Sequence, residues 1–360
     1  MIIVGDIACP TAELSTQLAN VFKTNAALFQ DQLLILNLEG LFGHEELLQA
    51  KVPVLYNHYT VLDAFSSFAN VAACLANNHV LDIPHHFDET IIGLQQKNIQ
   101  YGGAATSMAN AYTPIYTKDG KYDVIVFNEC WDFLLYHQKN PTDKVHVATI
   151  QFNNLVQRVK ACKQLNTNAI IVVYLHWSID FETLPYPMYR QFAQDLILAG
   201  AKIIAGCHAH CVQGGEVFKD GFIVYGLGNF FLPNNVFANG NLKSPAFAAT
   251  QLVLEYTIET NTATCHWFNY TFQNNQHQVT KIESNEFKNC STLKKYSPYQ
   301  GMNAKEYIAF FKKNRRKKIL IPLFTNYNNA LQLKIQTNLL KARAILARLL
   351  ARVSIIKWGS

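Results

Sequence analysis

The sequence predicts an α/β protein in which a buried sheet carries helices on both faces. Over the first 230 residues, short apolar runs rich in Val and Ile alternate with amphipathic helical patterns, as in strand–helix–strand units. The apolar runs are continuous, which is typical of strands covered on both sides. With 360 residues, 49% of them hydrophobic, the chain is long enough to bury a large core.

Six strands are predicted from apolar runs in the first part of the chain. In order they are Ile2–Val4, Leu33–Leu36, Val71–Leu75, Val124–Phe127, Ile170–Leu175 and Ile203–Ala205. Apolar residues recur at helical spacing over Gln151–Leu165 and Tyr189–Ala199, so we expect helices there.

The pattern changes near residue 214 from helix-connected strands to hairpins. Gly214–Val224 has a turn signal, Lys219-Asp220-Gly221, at its centre. Ala246–Thr257 and Ala263–Phe272 alternate apolar and polar residues, which predicts a second hairpin.

We predict a domain over residues 1–297 and a basic helical C-terminal extension over 298–360. Helices are expected at Ala304–Lys318 and Asn329–Ile356. The whole chain has a net charge of +6, but Lys288 to Ser360 holds 16 Lys and Arg against one acid, a net +15. The preceding residues carry 15 basic and 24 acidic residues, a net −9. Such asymmetry indicates two surfaces with different partners.

Composition excludes several classes of protein. Disorder, collagen and coiled coil do not fit the apolar content and the absence of a short repeat. No apolar stretch approaches the roughly 20 residues of a spanning helix, and the first residues do not resemble a secretory signal. The eight cysteines form no CxxC pair, as expected for buried thiols in a reducing compartment. We therefore expect a cytoplasmic protein.

Polar side chains follow five of the predicted strands, where open α/β sheets place their sites. In chain order they are Asp6, Asn37 and Glu39, Asn77 to His79, His176, and His208 with His210. Carboxylate, amide and imidazole groups bind divalent ions such as Mn²⁺, Zn²⁺ or Fe²⁺. Singly, each could be a helix cap or a satisfied histidine. Together they predict a metal site.

The motifs that hold these residues resemble those of the CapA family of capsule and poly-γ-glutamate synthesis proteins, a branch of the calcineurin-like metallophosphoesterases. The motifs are Gly5-Asp6, Asn37-Leu38-Glu39, Ala76 to Asp82, His176-Trp177, Gly206 to Gln213 and Tyr225 to Phe230. They lie within about residues 1–260 and do not include the basic tail.

The resemblance implies a sandwich of two mixed β-sheets flanked by helices, with one or two divalent ions at the strand ends. It implies that Asp6 and His210 bind one ion and that Glu39 bridges two. Asn78, His176 and His208 would bind the second ion. His79 would act beside the ions as a general acid or as a donor to a phosphoryl oxygen.

Some residues depart from the pattern or have open roles. Ala8 stands where calcineurin-like enzymes have a histidine, and the bridging residue is Glu39 in place of the usual Asp, so a single-ion site is an alternative. Asp180 could orient a metal-bound histidine, help to read a substrate amine, or be a solvated loop acid. Cys207 and Cys211 are expected to point away from the neighbouring histidines and pack.

The basic tail has three interpretations. Residues 310–358 combine a cationic cluster with an amphipathic helix that ends near Trp358, which suits an anionic membrane surface. Alternatively, the helix packs on the main domain with a solvated basic face. Nucleic acid binding is not expected, because no recognised motif is present.

The function expected from these features is that of a metal-dependent hydrolase of the phosphoesterase type. Its substrate would be an anionic or lipid-linked intermediate of a bacterial surface polymer, cleaved at a phosphoester or an amide. A cytoplasmic enzyme, peripheral at the inner face of the membrane, would reach such substrates. The alternative is a non-catalytic accessory subunit of a capsule or poly-γ-glutamate synthesis complex with a structural metal site.

Overall fold

The computed structural model describes residues 1–137, 144–274 and 276–352, with side chains described up to residue 346. In chain order the strands of this part are β1 (Ile2–Ile7), β2 (Leu33–Leu38), β3 (Leu41–Phe42), β4 (Tyr56–Asn57), β5 (Asn70–Cys74), β6 (Gln100–Gly102), β7 (Ala104–Ala105), β8 (Ile115–Asp119), β9 (Tyr122–Cys130), β10 (His146–Val147), β11 (Ile170–His176), β12 (Ile203–Cys207), β13 (Val212–Phe218), β14 (Gly221–Leu227), β15 (Asn229–Phe231), β16 (Thr250–Thr257), β17 (Thr262–Gln273) and β18 (Gln276–Glu286).

The helices of the described residues lie between the strands and at the C-terminal end. They are α1 (Ala12–Thr24), α2 (Ala26–Phe29), α3 (Phe87–Gln96), α4 (Met108–Ala111), α5 (Phe152–Leu165), α6 (Pro187–Leu198), α7 (Ser291–Tyr296), α8 (Ala304–Asn314) and α9 (Ala330–Arg352).

Two mixed sheets form the centre of the molecule. The first has the order β18-β17-β16-β1-β2-β5-β6, with β15 also pairing with β1. Its strands from β1 to β6 run parallel, and β16 to β18 are antiparallel. The second sheet has the order β13-β14-β12-β11-β9-β8, with a parallel centre.

The sheets face each other because alternate residues of each strand point to opposite sides. Ile3, Val126 and Val172 belong to a core that holds residues of both sheets. The intervening residues, such as Val4 and Val173, pack in a second core with the helices. The predicted class, two mixed sheets flanked by helices, is therefore confirmed.

All six predicted strands and the two helices between them are present, with limits shifted by a few residues. Both hairpins are also present, although Ala246–Ala249 is a 3₁₀ turn that precedes β16. Strand β18 was not predicted, because its residues are mostly polar and exposed at the sheet edge. Of the C-terminal helices, α8 ends at Asn314, four residues before the predicted end, because Arg315 is extended (φ −56°, ψ 142°).

The extension packs against the rest of the chain. Tyr307, Phe311 and Leu340 lie in the same core as β1 and α6. Arg190 on α6 forms a buried ion pair with Glu216 at 2.9 Å, and its guanidinium also donates to the carbonyl of Met302. The domain boundary at residue 298 stays a prediction.

Among the described residues, no helix combines the length and the apolar character needed to cross a membrane. The predicted tail residues Arg348, Arg352 and Trp358 lie outside the described side chains.

Candidate metal centre

The polar residues predicted from the strand ends meet in one place. Asp6 lies near the end of β1, and Glu39 follows β2 directly. His176 ends β11, and His208 follows β12. Since β1 and β2 belong to one sheet and β11 and β12 to the other, both sheets contribute donors to the same cluster.

Asp6 is buried, and both of its carboxylate oxygens have donors. Oδ1 accepts from the side-chain amide of Asn37 at 2.8 Å. Oδ2 accepts from the backbone N–H of His208 at 3.3 Å and lies 3.5 Å from Nδ1 of His210. The Asn37 side chain accepts in turn from Asn77, whose own side chain caps the 3₁₀ turn that begins at Asn78.

Glu39 is the most unusual group in the cluster. Its side chain is fully buried, and neither carboxylate oxygen has a hydrogen-bond partner among the described residues. Oε1 lies 3.8 Å from Nε2 of His176 and 3.9 Å from Nε2 of His79. Burial, together with the nearby charge of Asp6, raises the pKa of Glu39 to about 8. A buried carboxylate without donors is costly in free energy, so this site has the character of an incomplete ligand shell.

Three potential metal-donor atoms lie close together, one each from His176, Asn78 and His208. Nε2 of His176 lies 2.8 Å from Oδ1 of Asn78 and 3.1 Å from Nδ1 of His208. Two nitrogens bound to one zinc ion at about 2.0–2.1 Å are separated by about 3–3.4 Å. Burial, followed by the neighbouring histidines, lowers the pKa of His176 well below its usual value, which favours the neutral ring that metal binding requires.

Cys207 contacts the ring of His176. Its Sγ is 3.1 Å from Nδ1 of His176. Burial and the charges of Asp6 and Glu39 raise the pKa of this thiol well above its usual value. Cys211 is buried and donates to the carbonyl of Glu182. Cys207 therefore contacts the site through His176, whereas Cys211 packs beside it.

The turn that presents His208 and His210 has an uncommon backbone. Both residues have positive φ, 81° and 53°, a conformation that persists only where the surroundings enforce it. Nδ1 of His210 is 2.8 Å from Oδ1 of Asn229, the first residue of β15, which pairs with Asp6 on β1. The pKa of His210, which burial alone would lower, is raised to about 10 by Glu39 and Asp6.

A glycine permits this approach of β1 to the β14–β15 turn. A Cβ atom on Gly5 would lie 1.8 Å from the carbonyl oxygen of Gly228. Gly228 itself has φ 77°, which favours glycine. The two glycines therefore allow Asp6 and Asn229 to lie side by side.

His79 and Asp180 lie beside the donor cluster. Nδ1 of His79 is 2.6 Å from Oδ2 of Asp82, and its Nε2 faces Glu39. Burial would lower the pKa of His79, but Asp82 and Glu39 raise it overall. Asp180 is 59% exposed, and its Oδ1 lies 3.1 Å from Nε2 of His208.

The structure brings together all eight residues that the sequence singled out, and their individual roles stay predictions. These are Asp6, Glu39, Asn78, His79, Asp180, His176, His208 and His210. Asn37 and Asn229 stand in the quoted motifs but were given no metal role, and Asp82, the partner of His79, was missed although it follows in the same motif. At position 8 the buried alanine offers no donor.

The residues present fit a divalent ion. Glu39, His208 and His210 offer donor atoms that lie within 4.8 Å of one another, and so do Asp6, His176 and Cys207. With an ion bound, the orphaned oxygens of Glu39 would supply negative charge. A separate group, His44, His86 and Glu89, lies nearer the surface.

The fold and the site together define an α/β sandwich protein with a candidate metal centre at the carboxyl ends of its strands. The chain belongs to the family described as bacterial capsule synthesis protein PGA_cap, whose model matches residues 1–234. The family that the sequence motifs indicated is thus confirmed.

Curated relatives carry capsule-related names. The capsule biosynthesis protein CapA of Bacillus anthracis is 27% identical over 159 residues, and the PGA biosynthesis protein CapA of Bacillus subtilis (strain 168) is 28% identical over 159 residues. Each alignment covers 43% of this chain, and 38% and 40% of those relatives. The chain thus spans about two fifths of the length of the curated relatives it matches.

Solved structures with some similarity include two nucleotidases. A putative 5'-nucleotidase from Staphylococcus aureus aligns with a TM-score of 0.43 and 14% identity, over 83% of this chain and 58% of that one. The NAD nucleotidase NadN of Haemophilus influenzae aligns with a TM-score of 0.41 and 10% identity, over 79% of this chain and 54% of that one.

Proposed function

We propose that this chain is a metal-dependent hydrolase of the phosphoesterase type that acts on an intermediate of a bacterial surface polymer, such as capsular polysaccharide or poly-γ-glutamate. The observation that carries the proposal is Glu39, a buried carboxylate that faces two imidazoles and whose oxygens have no hydrogen-bond partner in the described part of the chain. Burying such a charge is favourable only if a cation compensates it.

The metal-binding residues would be Asp6, Glu39 and His210 on one side and Asn78, His176 and His208 on the other. Manganese, zinc or iron would suit this mixture of carboxylate, amide and imidazole donors. When bound, such ions lower the pKa of a water and neutralise charge on the transferred group.

The remaining polar residues have roles that follow from their contacts. Asp82 holds Nδ1 of His79, so Nε2 can carry a proton toward the leaving group as a general acid. Asp180 accepts from Nε2 of His208, which leaves Nδ1 directed at His176. Asp180 thereby orients a metal-binding histidine.

The family and the charge distribution support the proposed substrate class. The relatives' names associate them with capsule and PGA biosynthesis, and surface polymers of this kind are assembled from anionic or lipid-linked precursors. We propose that the chain reaches lipid-linked substrates as a peripheral protein at the inner face of the membrane, through residues 310–358.

Metal content and turnover test the proposal together. Protein purified without a chelator or a metal-affinity tag should contain about two ions of Mn, Fe or Zn per chain by elemental analysis. His208→Ala should lose at least one ion and reduce hydrolysis of a phosphoester such as p-nitrophenyl phosphate at least a hundredfold. His86→Ala, which removes a member of the surface group, should change neither. Undiminished turnover in both His79→Ala and His208→Ala would contradict the proposal.

An accessory, non-catalytic subunit is the second candidate, and Ala8 favours it. The buried methyl group of Ala8 leaves the Asp6–His210 side with one donor fewer than calcineurin-like enzymes have. This candidate would be supported by a metal content of one ion per chain together with no turnover of any phosphoester. It would also predict co-purification with polymer-synthesis enzymes.

A further inference from the structure

The chain segment that follows α8 returns to the metal centre. Helix α8 ends at Asn314, and the next residues run toward the loop that carries Asp180. The family model ends at residue 234, so this segment lies outside the part that defines the family.

Glu182 attaches the segment to that loop. Its carboxylate is fully buried. Oε1 accepts from the backbone N–H groups of Leu184 and Arg316, both at 3.2 Å, and Oε2 accepts from the N–H of Lys317 at 2.9 Å. The loop is attached in turn to the histidine turn, because the N–H of Phe181 donates to the carbonyl of Ala209 at 2.8 Å. The Glu182 carboxylate and the Phe181–Ala209 backbone hydrogen bond therefore fix the main chain of Arg316 and Lys317 relative to His208 and His210.

Aromatic contacts place the Arg316 side chain near the same turn. The guanidinium lies over the ring of Phe247, 4.0 Å from its centroid. Phe247 packs edge-on against Phe181 at 6.3 Å, and Phe181 contacts the ring of His210 at 6.0 Å. Arg316 is nevertheless exposed to solvent, so its donors remain accessible at the mouth of the site.

Lys317 adds a second positive charge to this segment. Its backbone N–H donates to Oε2 of Glu182, two residues after Asp180, and its side chain is partly exposed to solvent. Asp180 is the exposed member of the cluster and marks the entrance. The two cations thus stand where a substrate would enter.

We propose that Arg316 and Lys317 form an anion-binding subsite at the mouth of the metal centre and hold a phosphate or carboxylate group of the substrate. The proposal rests on the function proposed above and names the recognition element of that site. Cations at the entrance favour the approach of an anion to the site. A guanidinium also binds phosphate and carboxylate groups with paired hydrogen bonds.

Binding of small anions tests the subsite without requiring turnover. The full chain loaded with Mn²⁺ is titrated calorimetrically with inorganic pyrophosphate and, separately, with γ-glutamylglutamate. The double variant Arg316→Ala/Lys317→Ala should weaken binding of at least one probe tenfold or more. The matched control Lys312→Ala/Lys313→Ala removes the same charge from exposed positions of α8 and should stay within twofold of the original chain.

The outcomes separate the ligand sources and the two proposals. If the double variant weakens binding of pyrophosphate alone, the subsite binds phosphate. If it weakens binding of the dipeptide alone, the subsite binds carboxylate. Unchanged affinities, equal losses in the control, or no saturable binding of either probe would overturn the subsite. If a phosphoester is hydrolysed and the affinities are unchanged, only the subsite fails. If the affinities fall and no phosphoester is hydrolysed, the phosphoesterase proposal fails.

Glu182 acts as a positioning residue, and proteolysis reports on it directly. Glu182→Ala should release the segment, accelerate tryptic cleavage after Arg315 and Arg316 severalfold and weaken binding of the same probe. Glu182→Gln keeps one acceptor and should give intermediate results for both. Unchanged cleavage in Glu182→Ala would show that the carboxylate does not hold the segment.

Discussion

At the scale of single residues, buried carboxylates behave differently according to their partners. Glu182 is buried and satisfied by three backbone N–H groups, whereas both oxygens of the buried Glu39 lack a hydrogen-bond donor within the described ranges. Because an unpaired buried charge is costly, the environment of Glu182 indicates a structural role. The environment of Glu39 is the one expected of a metal-binding residue. Both residues are glutamates, so their different roles are distinguished only by their surroundings in the folded chain.

A third buried carboxylate, Glu129, gives a pH prediction away from the metal centre. It pairs with Arg158, yet burial raises its pKa to about 7 despite that partner. The folded state therefore holds the proton more tightly than the unfolded chain. Protonated Glu129 therefore stabilises the folded state relative to the ionised form. This stabilisation is fully present below about pH 4.5 and is lost as the pH rises through about 7.

Chemical denaturation at several pH values measures this effect. The free energy of unfolding of the unmodified chain, relative to Glu129→Gln, should fall by about 3 kcal/mol between pH 4.5 and 7.5, given 1.36 kcal/mol per pKa unit. Glu259→Gln, at an exposed turn position, serves as the control and should leave the pH dependence unchanged. A parallel pH dependence in Glu129→Gln would contradict the prediction.

At the scale of elements, α9 is apolar on two opposite faces. Leu340 and Ala344 are buried against the core. Leu331, Ile335 and Leu339 recur every fourth residue on the other face and are exposed. The packing interpretation of the tail therefore applies to one face of α9. The membrane interpretation remains a prediction for the other.

The connection between α8 and α9 also exposes apolar side chains. Ile319 and Leu320 are 81% and 62% exposed and directly follow the basic residues Lys317 and Lys318. Apolar side chains next to cations favour the interface of an anionic bilayer, where each basic residue contributes about 1 kcal/mol.

Vesicle sedimentation tests this prediction. The full chain should bind vesicles of phosphatidylcholine and phosphatidylglycerol and should bind pure phosphatidylcholine at least tenfold more weakly. Ile319→Ser/Leu320→Ser should reduce binding to the anionic vesicles at least fivefold. Leu165→Ser, at a leucine 85% exposed on α5, should not. Equal binding to both kinds of vesicle would contradict an electrostatic contribution.

At the scale of the whole molecule, the candidate metal centre lies where the two sheets meet. Asp6 and Glu39 come from the first sheet and His176 and His208 from the second. Between the sheets, the Tyr174 hydroxyl donates to the carbonyl of Val4 at 2.7 Å. An ion bound by donors of both sheets would stabilise their packing as well as serve catalysis.

Removal of the metal should therefore lower the melting temperature. A ligand present at a hundred times its dissociation constant stabilises the folded state by about 2.7 kcal/mol, so chelation should lower Tm by several degrees and added Mn²⁺ should restore it. His208→Ala should lose this response, while His86→Ala should retain it. Equal Tm values before and after complete removal of the metal would exclude a bridging role.

The sequence by itself determined the strand order along the chain, the family and the identity of the clustered polar residues. It could do so because apolar runs and the motif residues at their ends are local features. The edge strand β18 was not predicted because its polar residues lack that signal. The end of α8 was predicted too late because no glycine or proline interrupts the basic residues that follow Asn314. Only the tertiary structure decided that Glu39 has no hydrogen-bond partner among the residues described, that Asp82 contacts His79, and that Glu182 binds the backbone of Arg316 and Lys317. Hydrogen-bond satisfaction and the approach of segments more than 130 residues apart depend on how the layers pack, which no local pattern specifies.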